Sequence, residues 1–301
     1  MNDFLYRGVL QPYQVRVSYG VTTGVVRDAV LAHATDPVAS HLLARALTAG
    51  VLASPLLGED EWFTMRWNYE GDLQSIVLDV DEHARIRGFI APKLLMEHVE
   101  SEESVYGGGG KVSVTKSTSV KVLNSGTTEA ALLDVVEDLA HFFSYSDQIE
   151  TAMVAMVGFN PDPNDPVSLC QGLMIQAMPD CDLELFDALR RGLNSAEVRR
   201  LLSVPPEVDN HFEHVFKAML QSIPEAVFDL RLSVAGEPQF RCRCSLERIC
   251  DVVAVLPDAE LEEMIESDKF LSVDCRFCSR QYRLTPDQLR TILQTKRSTS
   301  A

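Results

Sequence analysis

The chain is short of positive charge. Of its 301 residues, 27 are Lys or Arg against 44 Asp or Glu, a formal charge of 27 − 44 = −17 with the histidines neutral. A nucleic-acid surface needs a basic footprint to displace counterions from phosphates, so binding to DNA or RNA is not expected. Uninterrupted apolar sequence is also scarce. The stretch from Leu42 to Leu57 is broken by Arg45, Thr48, Ser54 and Pro55, well short of the roughly 20 apolar residues that a membrane-spanning helix needs. Met1 to Val15 contains Asp3, Arg7 and Gln11 and no basic segment leading into an apolar one, so no secretory signal is expected. Together these absences predict a soluble, cytoplasmic protein without membrane partners, in a compartment where thiols stay reduced.

Catalytic motifs are missing too. Gly107 to Gly110 followed by Lys111 resembles a phosphate loop, but Val105 stands where that motif needs Gly and Val112 where it needs Ser or Thr. A strand pattern follows instead of a helix, so a glycine-rich hairpin loop is the reading. There is no GxSxG nucleophile turn. His211-Phe212-Glu213-His214 offers two imidazoles three residues apart with no further ligand nearby, which reads as a solvated helix face. No enzyme activity is expected.

What the chain does have is an ordinary globular balance, 46% apolar and 24% charged residues, enough to bury a core. At this length a second domain is expected, because single cores stop growing at roughly 250–300 residues. Asp36-Pro37 is a helix-start signal, and Val38, Leu42, Leu43, Ala46, Leu47 and Val51 follow at helical spacing. Trp62 to Tyr69, Leu73 to Val80 and Arg85 to Ile90 alternate as strands, the last two joined through Asp81-Glu82-His83, and predict an antiparallel meander. A further strand is expected around Val112 and Val114. Leu132, Leu133, Val136, Leu139, Ala140 and Phe143 then mark a helix face, and Ala152 to Val157 and Leu173 to Ala177 are short enough to be buried strands.

From Cys181 onward the pattern changes to short amphipathic segments, Leu183 to Leu193, Ala196 to Leu202 and Phe212 to Leu220, separated by Pro205-Pro206 and Pro224. Helices below roughly 12–15 residues are marginal in water, so these must dock on something. The expected fold class is α+β: an N-terminal domain of helices and antiparallel sheet (residues 1–180), a metastable helical linker (181–236) and a small C-terminal module (237–301).

That module is set apart by its composition. Residues 237–301 carry 10 basic and 11 acidic groups, leaving 27 − 10 = 17 and 44 − 11 = 33 for the rest of the chain. They hold five of the seven cysteines and none of the seven histidines. Cys242-Arg243-Cys244, 30 intervening residues and Cys275-Arg276-Phe277-Cys278 supply two close thiol pairs, a donor set that suits one tetrahedral zinc ion. Leu271-Ser272-Val273 and Gln281-Tyr282-Arg283-Leu284 frame the CxxC as strand, turn and strand, where backbone amides can reach the sulfurs. Leu246 to Leu256 and Ala259 to Ile265 are expected helices, and Thr285-Pro286 starts a third. A module with so few large apolar residues needs a staple, which zinc supplies. Zinc held only for structure and zinc held as a redox switch are both open at this point, because thiolates are what oxidants attack. Thiol–disulfide exchange is disfavoured, since CxxC sites of that kind sit where a strand feeds a helix. Cys170, Cys181 and Cys250 read as buried small hydrophobes.

Over nearly its whole length the sequence resembles the redox-regulated, zinc-binding heat-shock chaperones of the 33 kDa family (HslO). The CxC and CxxC pairs match that family's C-terminal signature. Upstream, Asp36-Pro37-Val38-Ala39, Arg45-Ala46-Leu47-Thr48, Arg87-Gly88-Phe89, Val114-Thr115-Lys116, Ser146-Asp147-Gln148-Ile149 and Gly172-Leu173-Met174-Ile175-Gln176 look like family segments in family order. The resemblance implies an ATP-independent holdase, inactive when reduced and zinc-loaded on Cys242, Cys244, Cys275 and Cys278. It implies disulfides Cys242–Cys244 and Cys275–Cys278 in the active form, the CxxC pair reacting first, a linker that then unfolds, unfolded client proteins as partners, and a homodimer when oxidised. Cys170, Cys181 and Cys250 lie outside the signature. The alternative from a different class is a protein-interaction scaffold with a purely structural zinc module.

Overall fold

A computed structural model describes residues 2–206, 210–267 and 269–299. Glu207, Val208 and Asp209 of the expected linker, and Asp268, Ser300 and Ala301 of the expected C-terminal module, lie outside the described residues. The chain divides into two compact units, Met1–Arg241 and Cys242–Ala301. No helix among the described residues is long and apolar enough to cross a membrane.

In chain order the first unit contains β1 (Phe4–Leu10), β2 (Val15–Val21), α1 (Thr23–His33), α2 (Pro37–Ala53), β3 (Glu61–Tyr69), β4 (Ser75–Asp81), β5 (Arg85–Ala91), α3 (Glu102–Tyr106), β6 (Gly110–Thr118), β7 (Val122–Glu129), α4 (Val135–Tyr145), β8 (Thr151–Phe159), β9 (Val167–Ala177), α5 (Leu183–Leu193), α6 (Ala196–Leu202), α7 (His211–Leu220), β10 (Leu230–Gly236) and β11 (Gln239–Phe240). The strands form a five-stranded sheet, β10-β1-β2-β9-β8, and a six-stranded one, β11-β5-β4-β3-β6-β7. All neighbours are antiparallel except the two-residue pairing of β11 with β5. The meander expected from Trp62 to Ile90 is β3-β4-β5.

Helix α2 begins as its sequence predicts: the Asp36 side chain accepts the Ala39 amide at 2.8 Å and Pro37 occupies the first turn. Ala39, Ser40, Leu42 to Ala44 and Ala46 to Ala53 are all buried, and a helix apolar on nearly every side belongs inside a core. It packs on β2, β8 and β9 of one sheet and on β4 and β5 of the other. Its small side chains permit that approach. A Cβ on Gly50 would lie 3.0 Å from Ile86 on β5, and one on Gly172 of β9 would lie 2.8 Å from Leu52.

Strict alternation gives the five-stranded sheet two cores. Met153, Ala155, Cys170 and Met174 face α2 and the first cluster. Val15, Val17, Tyr19, Ala152, Val154, Leu173 and Ile175 face the opposite way, into a second cluster. That second face is covered by α5, α6 and α7 through Phe186, Leu189, Leu193, Val198, Leu202, Val215, Phe216 and Met219, all buried. The short helices of residues 181–236 therefore dock on this sheet face. Polar links accompany them: Gln171 accepts the Tyr19 hydroxyl at 2.6 Å and donates its amide to the Val204 carbonyl at 2.6 Å, and Arg190 is ion-paired with Glu150.

Three expectations need correction. Gly107 to Gly110 is not a hairpin loop; it joins α3 to β6, because Ser101 and Ser104 cap each other's backbone and turn Glu102–Tyr106 into a short helix. Gly107 ends it at φ +69°, against Gly71, where a Cβ would come within 2.6 Å of the Gly71 nitrogen. Leu132 and Leu133 precede α4 instead of lying on it. Asp134 takes the cap by accepting the Val136 and Glu137 amides, which leaves Leu132 exposed and Leu133 at φ +53°. His211 is buried, not solvated, since it shares a helix face with Val215 and Met219; only His214 is exposed.

The second unit contains α8 (Leu246–Val253), α9 (Asp258–Glu266), β12 (Leu271–Asp274), β13 (Gln281–Leu284) and α10 (Pro286–Thr299). Its core is small: Ile249, Val253, Leu261, Leu284, Leu289, Ile292 and Leu293.

Candidate metal centre

Strands β12 and β13 form an antiparallel hairpin in the register Asp274↔Gln281 and Val273↔Tyr282. Cys275-Arg276-Phe277-Cys278 is its turn. The Cys275 amide donates to the Arg280 carbonyl at 2.9 Å and the Ser279 amide to the Cys275 carbonyl at 2.8 Å, with Ser279 at φ +55°. This folding back aims main-chain donors at the sulfurs, the Phe277 amide at Cys275 and the Arg280 amide at Cys278. The CxC segment is irregular but anchored. Ser245 caps α8 by accepting the Arg248 amide at 3.2 Å, and the Arg248 guanidinium donates to the Arg243 carbonyl at 2.9 Å.

The turn and the CxC segment converge. All four sulfurs, of Cys242, Cys244, Cys275 and Cys278, lie within 4.8 Å of one another, and each residue is half-buried. The Sγ···Sγ separations are 3.7 Å for Cys242 and Cys275 and 3.5 Å for Cys244 and Cys278. A tetrahedron with metal–sulfur bonds of about 2.3 Å has sulfur–sulfur edges of about 3.8 Å, so this spacing fits a four-thiolate metal ion. It is far longer than the about 2.05 Å of an S–S bond. Four soft donors with closed geometry suit zinc and leave no open coordination position.

The electrostatics already favour thiolate at one position. Burial raises the Cys244 thiol, but hydrogen bonds from the Tyr282 hydroxyl, 3.1 Å away, and from the other three cysteines outweigh it and bring it down to about 7. Burial and the neighbouring sulfurs hold Cys275 and Cys278 above the usual thiol range, against the pull of their backbone donors. Four close sulfurs resist becoming four anions together, and a divalent metal bound among them would remove that repulsion. Tyr282 is the residue that reading for ligands misses. Its signal is register: β13 pairs it with Val273, two residues before Cys275.

The other cysteines are not members of this cluster. Cys170 is buried in β9 and burial pushes its thiol far up. Cys181 is half-buried, and burial followed by the Asp182 carboxylate raises it. Cys250, on α8, is half-buried against the small core of the second unit.

A sequence profile described as Hsp33 protein matches residues 3–285. Among curated relatives, a 33 kDa chaperonin of Symbiobacterium thermophilum is 29% identical over 99% of this chain and 98% of its own. One from Clostridium botulinum strain Eklund 17B is 27% identical over 98% of each chain, and one from Thermus thermophilus is 27% identical over 96% of this chain and 86% of its own. The crystal structure of the Thermotoga maritima 33 kDa chaperonin, a heat shock protein 33 homolog, superposes with a TM-score of 0.82 at 23% identity, covering 99% of this chain and 100% of that one. Profile, full-length relatives and shared fold agree with one another, and the chain belongs to the Hsp33 protein family, a family of chaperones.

Proposed function

We propose that this chaperone is a redox-regulated, ATP-independent holdase of the cytoplasm, and not an enzyme. It is inactive when reduced with one zinc ion on Cys242, Cys244, Cys275 and Cys278, and active and dimeric when oxidised. Zinc bound there would hold all four sulfurs as thiolates and tie the hairpin, the CxC segment and α8 into one fold, with about 10–16 kcal/mol of binding energy that is also folding energy. Oxidation by peroxide converts Cys275 and Cys278 to one disulfide, and Cys242 and Cys244 to another. Each pair gives up two electrons and forms one S–S bond, while one peroxide takes up two protons and leaves as two waters. A disulfide sulfur is no longer a thiolate ligand, so the donor set is lost with the first bond, and a small core of seven buried side chains is left without its staple.

Residues 181–236 act as the metastable linker and 237–301 as the switch module. What carries this reading is the apolar sheet face beneath α5–α7: Val15, Val17, Tyr19, Val154, Leu173 and Ile175 are all buried by helices of only 7 to 11 residues. Release of those helices uncovers a contiguous apolar surface of the kind that non-native proteins bind. The test is peroxide treatment of the full-length, zinc-loaded protein, following zinc with a chromogenic chelator and cleavage within 181–236 by limited proteolysis. Zinc release and linker cleavage rising together are expected. Zinc retained, with unchanged far-UV circular dichroism, would instead favour an interaction scaffold with a structural metal.

A further inference from the structure

The segment 181–236 does more than cover a sheet face, because its last seven residues are the sheet's outermost strand. Strand β10 pairs antiparallel with β1 in the register Leu10↔Leu230, Val9↔Arg231, Gly8↔Leu232, Arg7↔Ser233 and Tyr6↔Val234, with a bulge before Leu5↔Gly236. On its other side β1 is paired with β2 from Phe4↔Val21 to Leu10↔Val15. Among the described residues no strand lies outside β10, and Val234 is 68% exposed. Contact with β1 is nonetheless close: a Cβ on Gly8 would meet the Arg231 carbonyl oxygen at 2.2 Å and no atom of β2 at comparable distance. Only residues 237–241 separate β10 from Cys242. Of the five-stranded sheet, β10 is thus the edge strand that comes last before the metal centre, with only the two-residue β11, paired to β5 of the other sheet, between them.

We propose that β1 is a client-binding edge: when β10 leaves, the outward backbone N–H and C=O groups of Phe4–Leu10 take an extended segment of a non-native protein as a replacement strand. The inference rests on the redox-release reading above and deepens it by giving the client a docking mode and a chemistry. An unpaired edge is a template for strand addition, in which main-chain hydrogen bonds supply sequence-tolerant affinity and alternate side chains supply selectivity. β10 shows what the edge accepts. Leu230 and Leu232 pack on the second core, while Arg231 between them and Ser233 after them are exposed. The partner is therefore a proline-free extended segment with branched apolar residues at every second position, the pattern of a strand torn from another protein's sheet. Because β2 continues to hold β1 on its inner side, the edge keeps its shape after β10 departs.

The test is amide hydrogen exchange on the full-length protein, with a synthetic peptide of residues 229–237 as the probe and its Leu232→Pro version as the control. In the reduced, zinc-loaded protein the amides of Phe4–Leu10 that face β10 are protected. After oxidation they are expected to exchange at least about tenfold faster, and the probe, but not the proline version, restores their protection. The same protection is expected with a chemically unfolded client in place of the peptide. The proposal is overturned if the oxidised protein holds such a client while these amides keep exchanging. It is overturned equally if protection returns without peptide or client as protein concentration rises, which would assign the edge to a second copy of the chain. If oxidation neither frees these amides nor lets the protein hold a client, the underlying redox reading itself has failed.

Discussion

One added methyl group should loosen the docked helices, against its own helix propensity. Gly192 lies near the end of α5, where the chain crosses α7. A Cβ there would sit 1.9 Å from the Met219 carbonyl oxygen and 2.9 Å from its carbonyl carbon. Ordinary contact begins at about 3.4 Å, so Gly192→Ala requires the two helices to part by about 1.5 Å, and overpacking of this kind costs about 1–3 kcal/mol. The upper end applies, because the obstacle is main chain and cannot rotate away. Alanine in place of glycine returns at most about 1 kcal/mol of helix propensity. The net expectation is about 1–2 kcal/mol lost from docking, a factor of about 5–30 in the opened population. Hydrogen exchange of α5–α7 amides in the reduced, zinc-loaded protein reads this directly. Slower exchange in Gly192→Ala would mean that propensity outweighs the crossing, and the packing argument would be wrong.

Other expectations follow from the same contacts. Cys275→Ser should abolish stoichiometric zinc binding, measured by elemental analysis, and unfold α8–α10, measured by far-UV circular dichroism; undiminished zinc affinity would remove Cys275 from the ligand set. Tyr282→Phe deletes a hydrogen bond that lowers Cys244, which stands at about 7, so alkylation of Cys244 in the zinc-free protein at pH 7 should slow and its pH–rate curve should move upward; an unmoved curve would contradict the assignment. His211 is buried, and desolvation first, then His214, lowers its imidazole from 6.5 against an opposing hydrogen bond to the Leu201 backbone. The unfolded imidazole therefore protonates before the docked one. Its contribution to docking is complete above about 6.5 and is lost progressively as the pH falls below it. Exchange of α7 amides, corrected for intrinsic pH dependence, should show that slope, and His211→Leu should flatten it; an equal slope in the variant would assign it elsewhere.

Local signals account for what the sequence makes legible. Asp36-Pro37 gives the start of α2 and the apolar spacing behind it gives its buried face as far as Val51, two residues short of its end, and the alternation of β3, β4 and β5 gives a meander because each strand's partner is its neighbour in sequence. The gathering of four cysteines is legible from spacing alone, since a hairpin and a short helical connection suffice to bring two close pairs together. Strand β10 is not legible in this way. Its partner β1 is at the other end of the first unit, and no local pattern announces a pairing between segments more than 200 residues apart in sequence. Strand β7 is hidden for another reason: as an edge with nearly every residue exposed, it has no core face and so no apolar period. The burial of His211 is legible in the sequence, because Val215 and Met219 at i+4 and i+8 place it on the buried side of α7. Tyr282 becomes visible only through hairpin register.

The most direct test of the account is light scattering from a chemically unfolded client diluted into the protein. Reduced, zinc-loaded protein and protein treated with peroxide under mildly unfolding conditions are compared at equal concentration. The account predicts that only the oxidised sample suppresses aggregation and that reduction with zinc restored reverses the effect. Suppression by both samples alike, or failure by both with zinc still bound after treatment, would contradict a redox-gated holdase.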